Sequence, residues 1–498
     1  MTIAHPRDGW AVALLAGCAA YLYANLFADS RTAFLLGGDQ VFFWVDAQRL
    51  LYGEQIYRDF LEHIAPGTDL VYLGFFRLLG PSIWVPNLVV LLVGVGLCGL
   101  CWVVARSISG RGPAALAVGL FVVLVYGRML NGTHHWFSVM AVLGALAIVL
   151  QARTPARIAM AGALLGLATF FTQTRGPSAA IALAVCLACE HFQKAGSGSS
   201  FAKRLALLFV PLAATWLALA GYFLATLGWR TFWFFQVTYS GRYAINGWSL
   251  DAFGWPQTLS LGSLPDASRL VFACVVVPCV YLLALGSGLR EQLRAPSESS
   301  MRVLMVAAVG TGMLVETLPS PSWLRIYCVA APAVILIPYL VLRLGFLATP
   351  ALRLLSVGVV ALAAALTWSK HNSQSVTAQL PGGRVATVAL QAEKLDWLAA
   401  HTHPGQFVLQ AGWLSIYLPL GLRNPLFLDY LESGSYDRLG YLTLSIRQME
   451  ARQVKYVLWS PRLDAPDYGL SMFRNYLDQH YRRVWRFSDA DEIWERQL

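Results

Sequence analysis

Charge is scarce in this chain. Only 13% of its 498 residues are Asp, Glu, Lys or Arg, where soluble domains carry about a quarter. A soluble surface needs those charges for its hydration, so an ordinary soluble enzyme is excluded. Other features are missing too. There is no Gly-rich loop of the kind that cradles phosphates, so no nucleotide site is expected. None of the 8 cysteines lies beyond Cys328, and all sit in apolar runs. The C-x-x-C spacings at Cys98/Cys101 and Cys186/Cys189 fit small residues one helical turn apart better than a metal or dithiol site. No cleavable signal peptide is expected, because the first apolar stretch, Trp10 to Ala28, is long enough to span and stay.

What is abundant is apolar. Hydrophobic residues make up 57% of the chain, with 42 Gly and 17 Trp, and the mean hydropathy is +0.55. Lipid-facing helices need no charged surface, so a polytopic membrane protein is the expected class. Of the 37 Lys plus Arg and 27 Asp plus Glu, 13 of each sign fall between His371 and Leu498. The first 370 residues keep the remaining 24 basic and 14 acidic ones, which is the whole net charge of +10. Cationic loops that hold a membrane topology explain that excess without nucleic acid.

Apolar stretches recur near 10–28, 85–105, 113–130, 136–151, 157–172, 176–190, 205–227, 270–288, 303–318, 326–342 and 352–368. They predict about eleven transmembrane helices. With the N-terminus in the cytoplasm, Arg7, Arg106, Arg111, Arg153, Arg157, Lys194, Lys203, Arg204, Arg290, Arg294, Arg302, Arg343 and Arg353 all fall inside, at every alternate loop. Residues 1–369 then form the membrane body. Its long outer loops are 29–81 and 229–269, and residues 370–498 form an extracytoplasmic tail. The tail reads as a small α/β domain: helices over 392–400, 442–453 and 472–480, strands over 407–410, 455–459, 483–487 and 493–495. His401 and His403 flank its Pro404-Gly405 turn and read as loop residues.

The first outer loop carries the chemistry. After Gly37-Gly38-Asp39, the apolar positions Val41, Trp44, Val45 and Leu51 share one helical face, which predicts an amphipathic helix in the membrane interface. Asp39 at its start serves equally as an N-cap or as a general base, since partial desolvation raises a carboxylate pKa toward working pH.

The run Asp39, Ala47-x-x-Leu50-Leu51-x-Gly53, Tyr57-Arg58-Asp59-Phe60 and Pro66-Gly67 resembles the first outer loop of C-type membrane glycosyltransferases of family 39. These are similar to the lipid A aminoarabinose transferases and the protein O-mannosyltransferases. The tail is similar as well, in Arg447-Gln448-Met449-Glu450, Tyr456-Val457-Leu458-Trp459 and Glu492-Ile493-Trp494-Glu495-Arg496. The resemblance implies a GT-C-like polytopic α-helical fold. It also implies transfer of a sugar from a polyprenyl phosphate to a lipid, glycan or protein acceptor hydroxyl, with Asp39 as base. Many relatives begin the loop Asp-Glu, whereas Gln40 follows Asp39 here. A second acid is then sought among Asp46, Asp59, Glu62 and Asp69, with Asp59 preferred and pairing with Arg58 its plain alternative.

Arg128, Arg175 and Arg325 fall at the outer ends of apolar segments, against the charge bias of the loops. An anionic lipid phosphate suits them, because guanidinium binds phosphate in bidentate fashion and stabilises it as it leaves. Snorkelling to headgroups is the alternative for each singly. His134 and His135, with His63 or a carboxylate, are candidate substrate or divalent-metal residues, no cofactor being certain. Glu316 is another candidate, with pairing to Arg325 its plain reading. Trp229, Phe232, Trp233, Phe234, Phe235, Tyr239, Tyr243, Trp248, Phe253 and Trp255 read first as a membrane belt and second as sugar-stacking residues. A multi-pass protein of the bacterial inner membrane is expected, N-terminus cytoplasmic and C-terminus periplasmic. The rival class is a transporter or flippase of lipid-linked sugars. It would place its charges near the midplane and carry internal repeats, whereas here the polar candidates collect at one face and no repeat is apparent.

Overall fold

Each of the eleven apolar stretches falls on helical chain. The computed structural model describes residues 9–193, 200–240, 264–319, 321–431, 439–466 and 469–497; Arg7, Lys194, Tyr243, Trp248, Phe253 and Trp255 lie outside them. In chain order come α1 (Gly9–Leu26), the strands β1 (Phe27–Asp29) and β2 (Thr32–Phe34), then α2 (Gln40–Leu51) and α3 (Gly67–Leu79). These are followed by α4 (Trp84–Ser109), α5 (Arg111–Leu120), α6 (His134–Val149), α7 (Pro155–Phe171), α8 (Arg175–Gln193) and α9 (Phe201–Leu227). Among the described residues seven helices are long and apolar enough to cross a membrane, and α6, α7 and Ala331–Leu342 are shorter apolar ones.

Their outward faces confirm the class. In the helix Ala348–Ser373, Leu354, Val357, Val360 and Trp368 are each more than two-thirds exposed. Water would penalise that surface at roughly 25 cal/mol per Å², and lipid removes the penalty. The inward faces carry small residues. The C-x-x-C pairs sit within α4 and α8 as free thiols.

Polar contacts mark the two ends of the bundle. At one end Arg153 pairs with Glu190 at 3.0 Å and with Glu298, Arg204 pairs with Glu190 at 2.6 Å, and Arg302 donates to the Ser107 carbonyl. Alternate loops therefore converge there, as the charge pattern predicts. The first outer loop, the turn before α6, the turn before α8 and the segment around Glu316 meet at the other end.

The tail contains a sheet ordered β5-β6-β8-β7, from Val408–Gln410, Tyr456–Trp459, Glu492–Arg496 and Tyr481–Arg486. Helices Ala389–His401, Leu439–Ala451 and Ser471–His480 accompany it, close to the expected elements. A second sheet was not legible in the sequence. It runs β1-β2-β4-β3, where β3 is Val376–Leu380 and β4 is Gly383–Thr387. β2 pairs with β4 in parallel, Ala33 opposite Val385, so the first outer loop and the tail share one sheet.

That union changes the environment of α2. Instead of lying half-exposed on a membrane surface, it is buried on nearly all sides, Asp46, Gln48 and Arg49 included. The tail covers the polar face: Arg49 donates to the Leu426 carbonyl at 2.8 Å and pairs with Glu54 at 2.8 Å and Asp429 at 3.5 Å. Its guanidinium also sits over the Phe60 ring.

Candidate active site

Asp39 stands where α2 begins. Gly38, at φ +78°, makes the turn that Cβ-bearing residues rarely adopt. The Asp39 side chain makes no capping bond to the helix, and the residue is exposed. Gln40 is fully buried beside it. Its Nε2 donates to the Gly37 carbonyl at 2.8 Å and weakly to that of Leu130, while the Gly132 N–H donates to its Oε1 at 3.0 Å. The amide thus ties the Asp39 turn to the turn before α6. Gly132 is required there, since a Cβ would lie 2.2 Å from the Tyr72 hydroxyl.

Arg175, 1% exposed at the start of α8, pairs with Glu316 through Nε at 2.7 Å and Nη2 at 2.5 Å. The Thr174 hydroxyl donates to the other Glu316 oxygen. Glu316 is therefore partnered by Arg175. The Arg175 Nη1 is buried with no acceptor among the described residues. Arg325 lies in the short helix Trp323–Cys328, capped by the Ser322 hydroxyl. The buried Cys328 at its end is within electrostatic reach of Arg175, Asp39, Arg325 and Glu316 together. His134 and His135, with rings 3.8 Å apart, lie in the field of the same two arginines. His134 Nδ1 is 2.8 Å from the Thr172 hydroxyl. Burial, and then the Arg325 charge, push His63 down to about 4, so its ring is neutral at neutral pH. Arg128 stands on the flank, where its charge reaches Tyr327, Tyr21 and Arg269. It follows a π-helical stretch, Phe121–Tyr126, that ends α5.

Asp59 is held differently. Arg58 bonds it at 2.6–3.1 Å and the Gln55 N–H at 2.8 Å, and the Arg58 contact keeps its carboxyl below the usual range. The acids that converge are Asp46, Glu62 and Asp69, each offering an oxygen within 4.8 Å of the others. Burial pushes Asp46 and Asp69 well above the usual carboxylate range and Glu62 up to about 8, with the neighbouring carboxylates adding to each. Asp429 from the tail is raised to about 7, by burial against the pull of Arg49. The histidines form no such donor group among the described residues. No spacing in the sequence marked this cluster, whose members come from α2, the loop after it and α3.

Of the described second-loop aromatics, Phe232, Phe235 and Tyr239 are buried, Phe235 stacking on Tyr57 at 5.3 Å. Trp229 and Trp233 are exposed.

No family model and no curated protein sequence matches the chain. Solved structures do. The ArnT protein of Cupriavidus metallidurans, in a structure bound to undecaprenyl phosphate, aligns over 98% of each chain with a TM-score of 0.59 and 15% identity. Its apo form gives 0.58. The oligosaccharyltransferase of Archaeoglobus fulgidus, tethered to an acceptor peptide, aligns over 99% of this chain and 74% of its own, with a TM-score of 0.51 and 13% identity. The chain has the GT-C fold. At these identities the likeness is one of architecture. Within the GT-C body, the site described above occupies the end where the first outer loop, α6, α8 and the tail meet.

Proposed function

We propose that this GT-C protein is a glycosyltransferase that moves a sugar from a polyprenyl phosphate to an acceptor hydroxyl on the outer side of a bacterial inner membrane, with the N-terminus inside and the tail outside. The observation that carries the reading is the chain of bonds from the Asp39 turn to Arg175: Gln40 accepts from Gly132, His134 bonds the Thr172 hydroxyl, and the Arg175 N–H donates to the Thr172 carbonyl while its guanidinium pairs with Glu316. A base and cationic phosphate ligands are the two things such a transfer requires. The ArnT structure with undecaprenyl phosphate supports a lipid-phosphate donor for this architecture.

In this reading the Asp39 carboxylate takes the proton from the acceptor hydroxyl, and that oxygen attacks the anomeric carbon. The bond from that carbon to the phosphate oxygen breaks, and the polyprenyl phosphate leaves with the bonding electrons. One displacement inverts the configuration. Arg325 and Arg175 hold the departing phosphate, Arg175 through the Nη1 that Glu316 leaves unused, and Arg128 guards the flank. His134 and His135 donate to donor or acceptor oxygens, while His63, neutral, lines the same side. Asp59 anchors its turn through Arg58 instead of acting as a second acid. Purified protein offered a panel of polyprenyl-phosphate sugars with membrane-extracted acceptors should release polyprenyl phosphate with one of them. Movement of the lipid-linked sugar between leaflets, with no sugar transferred, would replace this reading with the flippase.

A further inference from the structure

Beneath the first outer loop lies a cluster that the transfer chemistry does not use. Asp46 of α2, Glu62 of the following loop and Asp69 of α3 are all at most 3% exposed, and their oxygens converge within 4.8 Å. Neither oxygen of Asp46 nor either of Asp69 meets a hydrogen-bond donor among the described residues. The carboxyl groups of Glu62 and Asp429 lie within hydrogen-bonding reach of Asp46. Glu62 accepts from the Ile64 N–H at 2.5 Å and from the His63 N–H, with the His63 ring at 3.8 Å.

The charges do not balance. Of the four carboxyl groups from α2, the loop, α3 and the tail, Asp46 and Asp429 feel the Arg49 guanidinium, which is already shared among Glu54, Asp429, the Asp59 carbonyl and the Leu426 carbonyl. Unpaired buried charge of this kind costs several kcal/mol per ion and persists only where something neutralises it.

We propose that Asp46, Glu62 and Asp69, with Asp429 bordering them, bind a divalent cation that locks the first outer loop to the tail. The donor set is all oxygen, without Cys or His, which selects a hard cation over zinc. Donor oxygens within 4.8 Å of one another can share a single ion at metal–oxygen distances of about 2.3–2.6 Å, the calcium range. Three carboxylates supply up to six oxygens, enough for calcium without the waters that magnesium retains. The ion would also explain why the tail sends Asp429 into the back of α2.

The test uses the full chain in detergent, stripped with EGTA and dialysed. Added calcium chloride should bind at one ion per chain, measured by elemental analysis after gel filtration, and raise the thermal unfolding midpoint by several degrees. Asp46→Asn/Asp69→Asn removes the ligands and also the buried repulsion. It should therefore fold at least as well without calcium and be blind to it. Wild-type protein that binds no calcium above background would overturn the proposal. So would equal binding by the double variant, or a midpoint that follows pH between 5 and 8 and ignores calcium, the behaviour of acids neutralised by protons alone.

Discussion

The Gly132 N–H donates to the Oε1 of Gln40 at 3.0 Å, across 92 residues of chain. Gln40 also donates to two carbonyls, those of Gly37 and Leu130, so the position needs both a donor and an acceptor. Glutamate, ionised, is acceptor-only. Gln40→Glu should therefore destabilise the protein by about 1–3 kcal/mol, the cost of buried groups left unpaired, and misplace Asp39. Thermal unfolding and transfer rate would both fall. Restoring the Asp-Glu pair of the resembled family should not improve activity here.

Arg175 and Glu316 act as a unit. Arg175→Lys keeps the charge but loses the planar fork that bonds Glu316 on one side and aims Nη1 at a lipid phosphate on the other. A fall of about 10²–10³ in the transfer rate is expected for it, with the Glu316→Gln variant milder because its amide oxygen still accepts. Steady-state rates against donor concentration measure this. Equal rates for wild type and Arg175→Lys would remove Arg175 from the phosphate site.

Arg49 is the covalently unlinked clasp between α2 and the tail. Arg49→Leu leaves Asp429 buried without its cation and Glu54 with Arg423 alone, and should cost about 3–5 kcal/mol. The expected readouts are a lower unfolding midpoint and faster proteolysis within the tail, both seen without substrate.

The tail should respond to acid through Glu450. The Tyr476 hydroxyl, at 2.6 Å, holds its carboxyl below the ordinary range, against burial and with help from Arg496. A depressed carboxylate pKa stabilises the fold above the unfolded value, near 4.5, and that stability is lost as pH falls through the folded value. The stability gap between wild type and Tyr476→Phe should be full at pH 7 and shrink below about 4.5. A gap constant from pH 7 to 3 would show that the hydrogen bond is not made to the ionised carboxylate.

Much of this architecture was written in local pattern. Long apolar runs located the helices of the membrane body, and the β-branched and aromatic run Tyr456–Trp459 located its strand, because both signals are continuous in sequence. The sheet β1-β2-β4-β3 was hidden, since β1 and β2 have three residues each and β2 finds its parallel partner about 350 residues away. The burial of α2 was hidden for the same reason: its polar face reads as solvent-exposed until the tail covers it. Arg128, Arg175 and Arg325 stood out as charges at the ends of apolar segments, and Asp39 as an acid after Gly37-Gly38 at a helix start. That Glu316 bonds Arg175, and that Asp46, Glu62 and Asp69 converge, depends on helix packing that no spacing in the sequence encodes.

The central claim is that Asp39 is the base at a lipid-phosphate sugar site. The most direct measurement follows acceptor-dependent release of polyprenyl phosphate by wild type, Asp39→Asn and Asp59→Asn, with unfolding midpoints to confirm folding. Loss of a general base predicts a fall of about 10²–10⁴ for Asp39→Asn at an unchanged midpoint, with Asp59→Asn retaining most activity. Undiminished transfer by a folded Asp39→Asn protein would contradict the account.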